Sequence, residues 1–571
     1  MKNWNILNST KQAKVDKIID ILLENRGIVT KTEKVKFLNP SLSELTIDSV
    51  GIDKKELKKA ITRIKKAIKE KQQIVVFGDY DVDGITGAAI LWETLHGLGA
   101  KILPHIPHRT EEGYGLSIVG INNAKIKSPD LKLIITVDNG IVANEAVDYA
   151  NKNGIDVIIT DHHVASEKNP ESLAIVHTTK LCGAGVAYLL SQEIKNQKSK
   201  IKKNKEEDTH LELAALGTIA DMVPLTDGNR AIVKHGLSKI CKTKRPGLQE
   251  LYKQAGLEKE IFTPYEIGYI IAPRLNAAGR IESGMDSLRL LCTNDPGKAR
   301  LLAEKLELIN KERQLVLKEA TEHAISGVRS QESGVRSLLF VAHETYQPGV
   351  IGLVAGKLVE EFYRPAIVIS IGETHSKASA RSISGFNLIE FLRLHAPEFV
   401  NVGGHPMAAG FTVTTEKLGA LQGLLEKTAE ELITPEILIR SLKIDSELSL
   451  SDINSELYSA IQAISPFGMG NPEPTFVSYG VKVKDFKLLG KDRTHLKLQL
   501  YQKPRTSIRQ AQDKKNQEPR ILDAIGFGMS EFAEKLKPED KIDIAYTIDE
   551  NVWNGNTKLQ LKLKDLKTND K

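Results

Sequence analysis

The sequence contains no run of 18 apolar residues, which is about the length that a membrane-spanning helix needs. Its first residues, MKNWNILNSTK, include no apolar segment followed by a cleavage site. The three cysteines, Cys182, Cys241 and Cys292, are scattered and form neither a disulfide framework nor a zinc-binding CxxC pair. We therefore expect neither secretion nor membrane insertion, and we expect a reducing, cytoplasmic setting.

The 571 residues are too many for a single hydrophobic core, so two to four domains are expected. Apolar residues make up 41% and charged residues 27%, as in an ordinary soluble globular protein. The net charge of +6 is mild, but residues 1–70 carry 16 Lys and Arg against 9 Asp and Glu. This basic region either attracts phosphate backbones or forms a solvated, lysine-rich helical face, and the sequence leaves both interpretations open.

From residue 72 onwards, short β-branched runs alternate with helical stretches. QQIVVFG (72–78), LKLIITV (131–137) and IDVIIT (155–160) are typical of buried strands, and ITGAAILWETLHGLG (85–99) is typical of a helix. Strands that alternate with helices indicate a parallel, doubly wound sheet. The first large domain is therefore predicted to be α/β.

The rest of the chain divides by pattern into four further parts. Residues 211–325 are predicted to be mainly helical, and the near-repeat SGVRSQESGVRS (326–337) is predicted to be an inserted surface loop. A second α/β unit begins at SLLFVAHE (337–344), and the last portion suggests a small antiparallel barrel in which 501–520 is a disordered loop. The predicted regions are a basic N-terminal helical region (1–70), a first α/β domain (71–225), a helical connector (226–336), a second α/β domain (337–435) and a barrel domain (436–571).

Acidic and histidine residues follow three of the predicted strands. They are Asp79, Asp81 and Asp83 in FGDYDVDG, Asp138 in TVDNG, and Asp161, His162 and His163 in ITDHH. In an extended segment alternate residues share a face, so the three carboxylates that are spaced by two are expected to point the same way. Ligands of open α/β sheets gather at the carboxyl ends of the strands. The pattern therefore predicts a single site rich in carboxylate and imidazole groups.

So much negative charge in one place is unfavourable unless a cation neutralises it. Carboxylates with imidazole, and without thiolate, suit manganese or magnesium better than a structural zinc ion. Each motif taken alone is also compatible with a turn or a helix cap. The combination at three strand ends favours a divalent-metal site.

Several of these motifs occur together in one known superfamily. DYDVDG, VDNG, DHH and GTIADMVP (217–224) resemble, in order and spacing, the motifs of the DHH phosphoesterases. Further segments are similar to those of the bacterial RecJ exonucleases within that superfamily: HIPHR (105–109), RLNAAGR (274–280), INKERQ (309–314), ASARS (378–382), GGHPMAAG (403–410) and SPFGMGNPEP (465–474). The resemblance extends from about residue 40 to the C-terminus. It implies a DHH domain, a helical connector, a DHHA1-type domain and an OB-like barrel, and it leaves segments 326–337 and 501–520 unassigned.

The resemblance also implies a set of metal ligands. When the ligand positions of the family are carried over to this sequence, two divalent ions, Mn²⁺ or Mg²⁺, would be held by Asp79, Asp81, Asp83, Asp138, His162 and Asp221. His163 would either complete this catalytic set as a ligand or interact with the scissile phosphate. Because consecutive residues tend to point in opposite directions, His162 is the preferred direct ligand of the two histidines.

A second set of residues would bind the substrate. By resemblance, Arg109, Ser379 and Arg381 recognise a terminal 5′ phosphate, to which the planar donor fork of arginine is well suited. Asn276 and Arg280 would line the path of the strand, and His405 would contact the substrate near the metals. The implied activity is a single-stranded-DNA-specific 5′→3′ exonuclease that releases 5′-mononucleotides in DNA repair and recombination.

Two alternatives remain within the same superfamily. One is a phosphodiesterase that acts on short oligonucleotides or cyclic dinucleotides, and the other is a DNA-binding scaffold without catalysis. The intact ligand positions favour an enzyme over a scaffold, and the Arg109, Ser379 and Arg381 set favours a polymer with a 5′ end. The family further implies single-stranded DNA, single-strand-binding protein and a RecQ-type helicase as partners of a chain that is expected to be monomeric.

Overall fold

The protein is described by a computed structural model. The described residues are 2–9, 14–109, 111–196, 210–258, 260–330, 336–502, 520–553 and 556–568. They divide into two compact units, one formed by Met1–Ser41, Pro224–Lys234 and Ser441–Lys571, and the other by Leu42–Val223 and His235–Arg440. The five regions predicted from the sequence are narrower than these units, and their boundaries stay predictions.

The elements within the described ranges are numbered in chain order. The helices are α1 (Val15–Glu24), α2 (Lys31–Leu38), α3 (Ile47–Val50), α4 (Lys54–Lys69), α5 (Val82–Gly97), α6 (Ile118–Lys127), α7 (Asn144–Lys152), α8 (Gly183–Asn196), α9 (Leu211–Ala220), α10 (Asp227–Cys241), α11 (Pro246–Gln254), α12 (Ala272–Ile281), α13 (Met285–Cys292), α14 (Pro296–Arg329), α15 (Ile351–Phe362), α16 (Leu388–Arg393), α17 (Leu418–Leu432) and α18 (Ser455–Ala463). The strands are β1 (Asn3–Ile6), β2 (Gln73–Gly78), β3 (Lys101–His105), β4 (Leu131–Val137), β5 (Asp156–Asp161), β6 (Ala174–His177), β7 (Leu339–His343), β8 (Ala366–Ser370), β9 (His375–Arg381), β10 (Asn401–His405), β11 (Ala408–Thr414), β12 (Ser441–Ile444), β13 (Ser446–Glu447), β14 (Phe476–Leu489), β15 (His495–Tyr501), β16 (Ile521–Gly526), β17 (Lys541–Trp553) and β18 (Asn556–Thr568). None of these helices is both long and apolar enough to cross a bilayer.

The first sheet has the strand order β3-β2-β4-β5-β6, and every pairing in it is parallel. Strand β2 is buried along its whole length, as expected for a central strand that is covered on both faces. Helices α6 and α7 share one core with β2, β4 and β5, whereas α5 packs against α8 and α9. The predicted parallel α/β domain is confirmed, and its strands all deliver their carboxyl ends to one edge.

The second α/β domain contains a mixed sheet of order β10-β11-β9-β8-β7. Only β7 and β8 pair in parallel, and the other strands are antiparallel. The predicted loop at 326–337 is wrong at its start, because α14 continues through Arg329. Ala324 and Val328 are buried with Leu339 in one core, so apolar packing extends the helix across the first part of the repeat. Residues 331–335 lie outside the described ranges.

The last domain is a closed barrel. Its strands follow the order β14-β15-β16-β18-β17, and an additional pairing of β14 with β17 closes the ring. This confirms the predicted OB-like architecture. Strands β17 and β18 pair antiparallel as far as Trp553 and Asn556. Within the predicted disordered loop 501–520, residues 503–519 lie outside the described ranges.

A half-buried ion-pair cluster ties α5 to the helical connector. Glu93 accepts hydrogen bonds from both terminal nitrogens of Arg245 at 2.6 and 2.8 Å, and its Oε2 lies 3.0 Å from His210 Nε2. The Nε of Arg245 also donates to Glu212 at 2.7 Å. Burial alone would raise the pKa of Glu93, but the hydrogen bonds from Arg245 and His210 lower it to about 2. The cluster therefore stabilises the fold through the ionised form of Glu93.

We expect Glu93→Gln to lower the free energy of unfolding by about 3 kcal/mol at pH 7, because it removes one charge from a buried pair. The pKa of Glu93 in the folded protein lies below its ordinary value of 4.5. This stabilisation is therefore complete above pH 4.5 and is lost as the pH falls towards 2. Urea unfolding across that range should show the wild type converging on the variant, whereas the exposed control Glu145→Gln should follow the wild type at every pH. A deficit that stays constant with pH would contradict the role of the ionised carboxylate.

Candidate active site

The predicted carboxylates lie where the strands of the first sheet end. Asp79 follows β2 directly, Asp138 follows β4, and Asp161 is the last residue of β5. The expected extended run through Asp83 is wrong, because Asp81 caps α5 and Asp83 lies in its first turn. The Asp81 side chain accepts from the backbone N–H of Gly84 at 3.1 Å, so the chain turns into a helix before the third carboxylate.

Asp83 reaches the site from the helix instead of from a strand. Its two carboxylate oxygens accept hydrogen bonds from the backbone N–H groups of Gly183 at 2.6 Å and Ala184 at 2.8 Å. These two N–H groups belong to the first residues of α8, where the helix dipole favours a negative charge. The backbone of α8 therefore fixes a buried carboxylate beside the strand ends.

The structure brings the six predicted metal ligands and His163 together. Their ligand atoms form three triads, and within each triad the atoms lie within 4.8 Å of one another. The triads are Asp79, Asp81 and Asp138; Asp83, His162 and Asp221; and Asp138, His162 and His163. Asp138 and His162 each belong to two triads, which places both of them at the centre of the cluster.

Four buried ligand atoms have no hydrogen-bond partner within the described chain: Asp79 Oδ1, Asp138 Oδ1, His162 Nε2 and Asp221 Oδ2. His162 Nε2 lies 3.0 Å from Asp138 Oδ1 and 3.6 Å from Asp221 Oδ2. The approach to Asp138 is short but lacks the angles of a hydrogen bond, so these atoms point at a common space. Buried polar atoms are almost always satisfied, and a divalent cation would satisfy this set of oxygen and imidazole ligands.

Burial and mutual repulsion disturb the protonation of the cluster. Burial, followed by the charges of neighbouring carboxylates, raises the pKa values of Asp79, Asp81 and Asp138, and raises the pKa of Asp221 to about 8. Burial lowers the pKa of His162, which favours the neutral imidazole that binds a metal. Carboxylates that hold protons for lack of a counter-charge release them when a cation binds. The electrostatics of the site thus fit a divalent metal.

His163 has a different environment from His162. Its Nδ1 lies 2.8 Å from Asp161 Oδ1, and its Nε2 lies 3.1 Å from the hydroxyl of Tyr114. Burial alone would lower the pKa of His163, but the hydrogen bond and charge of Asp161 raise it to about 9. This partly exposed ring is suited to a phosphate oxygen, and its place in the triad with Asp138 and His162 keeps it a candidate metal ligand as well. Asp161 orients this ring, a role that the sequence did not assign.

Two glycines make room for the cluster. A Cβ on Gly183 would lie 2.5 Å from the Cβ of Asp138, and a Cβ on Gly217 would lie 2.8 Å from Asp83 Oδ1. Asp138 itself adopts a left-handed backbone with φ of 64°, which aspartate tolerates better than most residues. Helices α8 and α9 can approach the strand ends only with glycine at these two positions.

Arginines gather next to the metal-site residues. Burial, followed by the charges of Arg109 and Arg313, lowers the pKa of Arg280 to about 10. Burial and the charge of Arg109 also lower the pKa of Arg381. Within the described chain, no ion pair joins Arg109, Arg280 or Arg381 to a carboxylate. Guanidinium groups that repel one another without an acidic partner form a site for an anion.

Helix α15 contributes to this cationic site. Its Gly352 lies close to β9. A Cβ at this position would be only 2.8 Å from Ser379 Oγ and 3.1 Å from Arg381 NH2. Just before the helix, the carbonyl of Gly349 accepts a hydrogen bond from Arg280 at 3.1 Å. The N-terminus of a helix offers N–H groups and a positive dipole to phosphate. The sequence indicated the arginines but gave no signal for this helix end.

A stacked contact links the two groups of residues. The guanidinium of Arg109 lies 5.1 Å from the centre of the Tyr80 ring, and Tyr80 stands between Asp79 and Asp81. The metal-site segment and the cationic site are therefore adjacent.

Family models match three parts of the chain: the DHH family N-terminal domain over residues 73–218, the DHHA1 domain over 335–431 and the RecJ OB domain over 444–565. The chain is 36% identical over 567 residues to the single-stranded-DNA-specific exonuclease RecJ of Bacillus subtilis, covering 97% of this chain and 68% of that protein. The chain belongs to the RecJ family. This confirms the resemblance on which the site was predicted.

Solved RecJ structures share the fold. The crystal structure of RecJ from Thermus thermophilus in complex with Mn²⁺ matches with a TM-score of 0.82 at 27% identity, covering 100% of this chain and 80% of that one. The corresponding complex with Mg²⁺ matches with a TM-score of 0.76 at 26% identity, over 100% and 79% of the two chains. The combination of DHH, DHHA1 and OB domains expected from the motifs is confirmed.

The resemblance to RecJ also predicts substrate contact by Asn276 and His405. Asn276 Oδ1 accepts a hydrogen bond from the backbone N–H of Val82 at 2.9 Å, so Asn276 also fixes the start of α5. His405 is exposed at the end of β10, where a tight hairpin connects to β11. Gly404 has a φ of 145°, and a Cβ there would be 2.4 Å from the carbonyl oxygen of Ala408. Substrate contact by Asn276 and His405 stays a prediction.

Proposed function

We propose that this RecJ-family exonuclease degrades single-stranded DNA from its 5′ end with two divalent ions, releasing one 5′-mononucleotide at each step. The observation that carries the proposal is the adjacency of the metal-site residues and the cationic site through Asp79, Tyr80 and Asp81. A terminal phosphate that binds to Arg109 and Arg381 would fix both the polarity of the reaction and the size of each step. An internal phosphate could not use the additional charge that this site offers.

The triads support two ions. Asp79, Asp81 and Asp138 would hold one, and Asp83, His162 and Asp221 would hold the other. Asp138 Oδ1 lies 3.0 Å from His162 Nε2, so the Asp138 carboxylate would be close to both ions. When bound, two such ions activate water and stabilise the leaving oxygen of an in-line displacement. The solved complexes of the Thermus relative with Mn²⁺ and with Mg²⁺ support the choice of these metals.

The side chains of the protein have their own tasks around the metal site. The protonated His163 would donate to a non-bridging oxygen of the scissile phosphate, while Asp161 holds its ring in place. Arg109 and Arg381, with Ser379 and the N-terminus of α15, would donate to the terminal phosphate. Arg280 would guide the strand between the two positions. No side chain of the protein is required as a nucleophile.

The cellular role follows from family membership. We propose repair and recombination of DNA as its setting, a monomer as the working form, and single-strand-binding protein and a RecQ-type helicase as partners. The barrel domain would add contacts to unpaired bases, as OB-type barrels commonly do. The intact metal triads favour this enzyme over a scaffold, and the cationic site favours a strand over a cyclic dinucleotide.

The proposal is tested with single-stranded DNA that is labelled at its 3′ end and incubated with Mn²⁺ or with EDTA. We expect Mn²⁺ to give progressive shortening with release of mononucleotides, and EDTA to abolish it, because the carboxylates alone cannot activate water. A blunt duplex of the same sequence should remain intact. A 5′-labelled strand should lose its label in the first step.

Three results would count against the proposal. Release of the 3′ label in the first products would show that hydrolysis starts at the 3′ end. Release of oligonucleotides would refute the one-nucleotide step. Turnover of a cyclic dinucleotide with the strand left intact would retain the metal site and replace the substrate.

A further inference from the structure

Helix α4 carries a strongly cationic surface that the proposed function does not use. Its 16 residues, KKELKKAITRIKKAIK, contain seven lysines and Arg63 against the single acid Glu56. The lysines are Lys54, Lys55, Lys58, Lys59, Lys65, Lys66 and Lys69, and all of them are exposed. The apolar side of the helix, including Leu57, Ile61 and Ile64, is buried. The basic character found in residues 1–70 is thus concentrated on one side of one helix.

This surface differs from an ordinary solvated helix face. Such faces alternate acids and bases at i,i+4, whereas here lysines follow lysines at 54 and 58, 55 and 59, and 65 and 69. Each like-charge pair costs about 0.2–0.5 kcal/mol. Lys54 pairs with Asp48 and Lys59 pairs with Glu56, but neither Lys58 nor Lys66 forms an ion pair with a carboxylate within the described chain. A bound polyanion would relieve this repulsion.

An open groove of about 440 Å³ lies along the lysines. It is lined by Lys58, Lys59, Thr62, Arg63, Lys66 and Leu173. The groove therefore has cationic side chains along the helix, one hydroxyl, and the apolar Leu173. Lys58, Thr62 and Lys66 recur at one helical turn, about 5.4 Å apart, which suits a ligand with repeated anionic groups better than a single carboxylate.

Arg63 gives a second, independent indication of an anion. Its side chain is 9% exposed, and its Nε and NH2 donate to Asp156 at 2.5 Å and to the carbonyl of Lys132 at 3.2 Å. Its third nitrogen, NH1, is buried and has no hydrogen-bond partner within the described chain. A buried guanidinium nitrogen without an acceptor is costly, so the base of the groove has spare donor capacity.

The groove is separate from the metal site. Arg63 contacts Asp156 and Lys132, which lie at the start of β5 and β4, whereas the metal-site residues lie where these strands end. A six-residue strand spans about 20 Å, so a ligand in the groove is well away from the reacting bond. A long strand could occupy both places, but a strand of a few nucleotides could not.

We propose that this lysine groove of α4 binds the phosphodiester backbone of the DNA substrate at a distance from the active site. The proposal rests on single-stranded DNA being the substrate and does not depend on the polarity of hydrolysis. The groove would hold the unreacted part of a long strand through phosphates alone, without reading bases. It would raise the affinity for long strands over short ones.

The test compares the variant K58Q/K59Q/K66Q with the control K125Q/K127Q/K152Q, which removes the same charge from α6 and α7. Binding of a 3′-labelled 30-nucleotide strand is measured in EDTA at several salt concentrations, and kcat/KM is measured with Mn²⁺ for the 30-mer and a pentamer. Each lost phosphate contact lowers the slope of log Kd against log salt by about 0.7 for single strands. We expect the slope of the α4 variant to be smaller than that of the wild type by about 2. We also expect the ratio of kcat/KM for the 30-mer to kcat/KM for the pentamer to fall roughly tenfold.

The control should keep the slope and the ratio of the wild type. If both variants lost the same amount of salt slope, the effect would be one of net charge alone. If the slope of the α4 variant were unchanged, the groove would take no part in DNA binding. Equal losses on the pentamer and the 30-mer would place the effect at the active site. If polyglutamate, inorganic phosphate or dTMP protected Arg63 and the lysines from chemical modification as well as the 30-mer does, the groove would be a site for an acidic peptide or a single phosphate. Hydrolysis of the pentamer by the wild type reports on the proposed function independently of all these outcomes.

Discussion

Asp138→Asn is expected to lower kcat on the order of a thousandfold or more while raising the melting temperature of the metal-free protein. Asp138 belongs to two of the three triads, so its loss weakens the grip on both proposed ions. The loss of several kcal/mol of transition-state stabilisation corresponds to such a factor. Asparagine has nearly the same size and also tolerates a φ of 64°. Burial, followed by neighbouring charges, raises the pKa of Asp138, so folding without a metal carries the cost of protonating this carboxylate. Asparagine removes that cost, and the fold should gain stability.

The variant is assayed with Mn²⁺ for rate, by calorimetry for Mn²⁺ binding, and by thermal unfolding in EDTA. Asp148→Asn, at an exposed position of α7, is the matched control and should equal the wild type in all three measurements. Full activity with unchanged Mn²⁺ affinity would remove Asp138 from the metal site. A lower melting temperature together with lost activity would make Asp138 a structural residue.

Arg381→Gln is expected to reduce the preference for a 5′-phosphorylated end over a 5′-hydroxyl end by roughly tenfold to a hundredfold, the equivalent of one charge-assisted hydrogen bond. Arg381 lies beside Ser379 and the N-terminus of α15, and no carboxylate within the described chain forms an ion pair with it. Arg381→Lys should recover only part of the preference, because an ammonium group cannot match the planar fork of arginine. The measurement is kcat/KM for two otherwise identical strands.

Arg393→Gln removes an exposed arginine from α16 in the same domain and serves as the control, which should keep the wild-type preference. If Arg381→Gln slowed both strands by the same factor, the arginine would act on the reaction in general and the assignment to the terminal phosphate would fail. A folding defect would show itself by a loss of secondary structure, which the Arg381→Lys variant is expected to avoid.

Most of the metal site could be predicted because it follows from a regular feature of α/β sheets. Parallel strands end at one edge, so acids at the ends of β2, β4 and β5 must meet there. Asp79 and Asp138 are of this kind, and the period of the strands locates them without any knowledge of the rest of the fold. Asp221 follows a helix, and only the resemblance to the DHH phosphoesterases indicated it.

Other features depended on contacts between distant segments. The extended geometry expected for Asp83 gave way to a helix whose carboxylate is held by the N–H groups of Gly183 and Ala184, 100 residues further on. The pairing of His163 with Asp161 distinguishes two adjacent histidines that the sequence could separate only by their direction. The approach of Gly352 to Arg381 likewise depends on how α15 packs on β9. Local periodicity contains no information on such pairs.

The first 41 residues belong to the same compact unit as the last domain of the chain. Strand β1 pairs in parallel with β12, and Ile18, Leu22 and Leu23 of α1 are buried in the core of the barrel domain. Local sequence patterns could not predict this pairing, because its two strands are separated by more than 400 residues.

This pairing has a consequence for how the protein is made. During translation the N-terminal strand and helix leave the ribosome tens of seconds before their partner strands exist, since synthesis proceeds at about 5–20 residues per second. In that interval the apolar side of α1 is available to chaperones or to other nascent chains. Truncation before residue 441 would leave the same surface permanently bare, and it would also remove the partners of Pro224–Lys234, which belongs to the same unit.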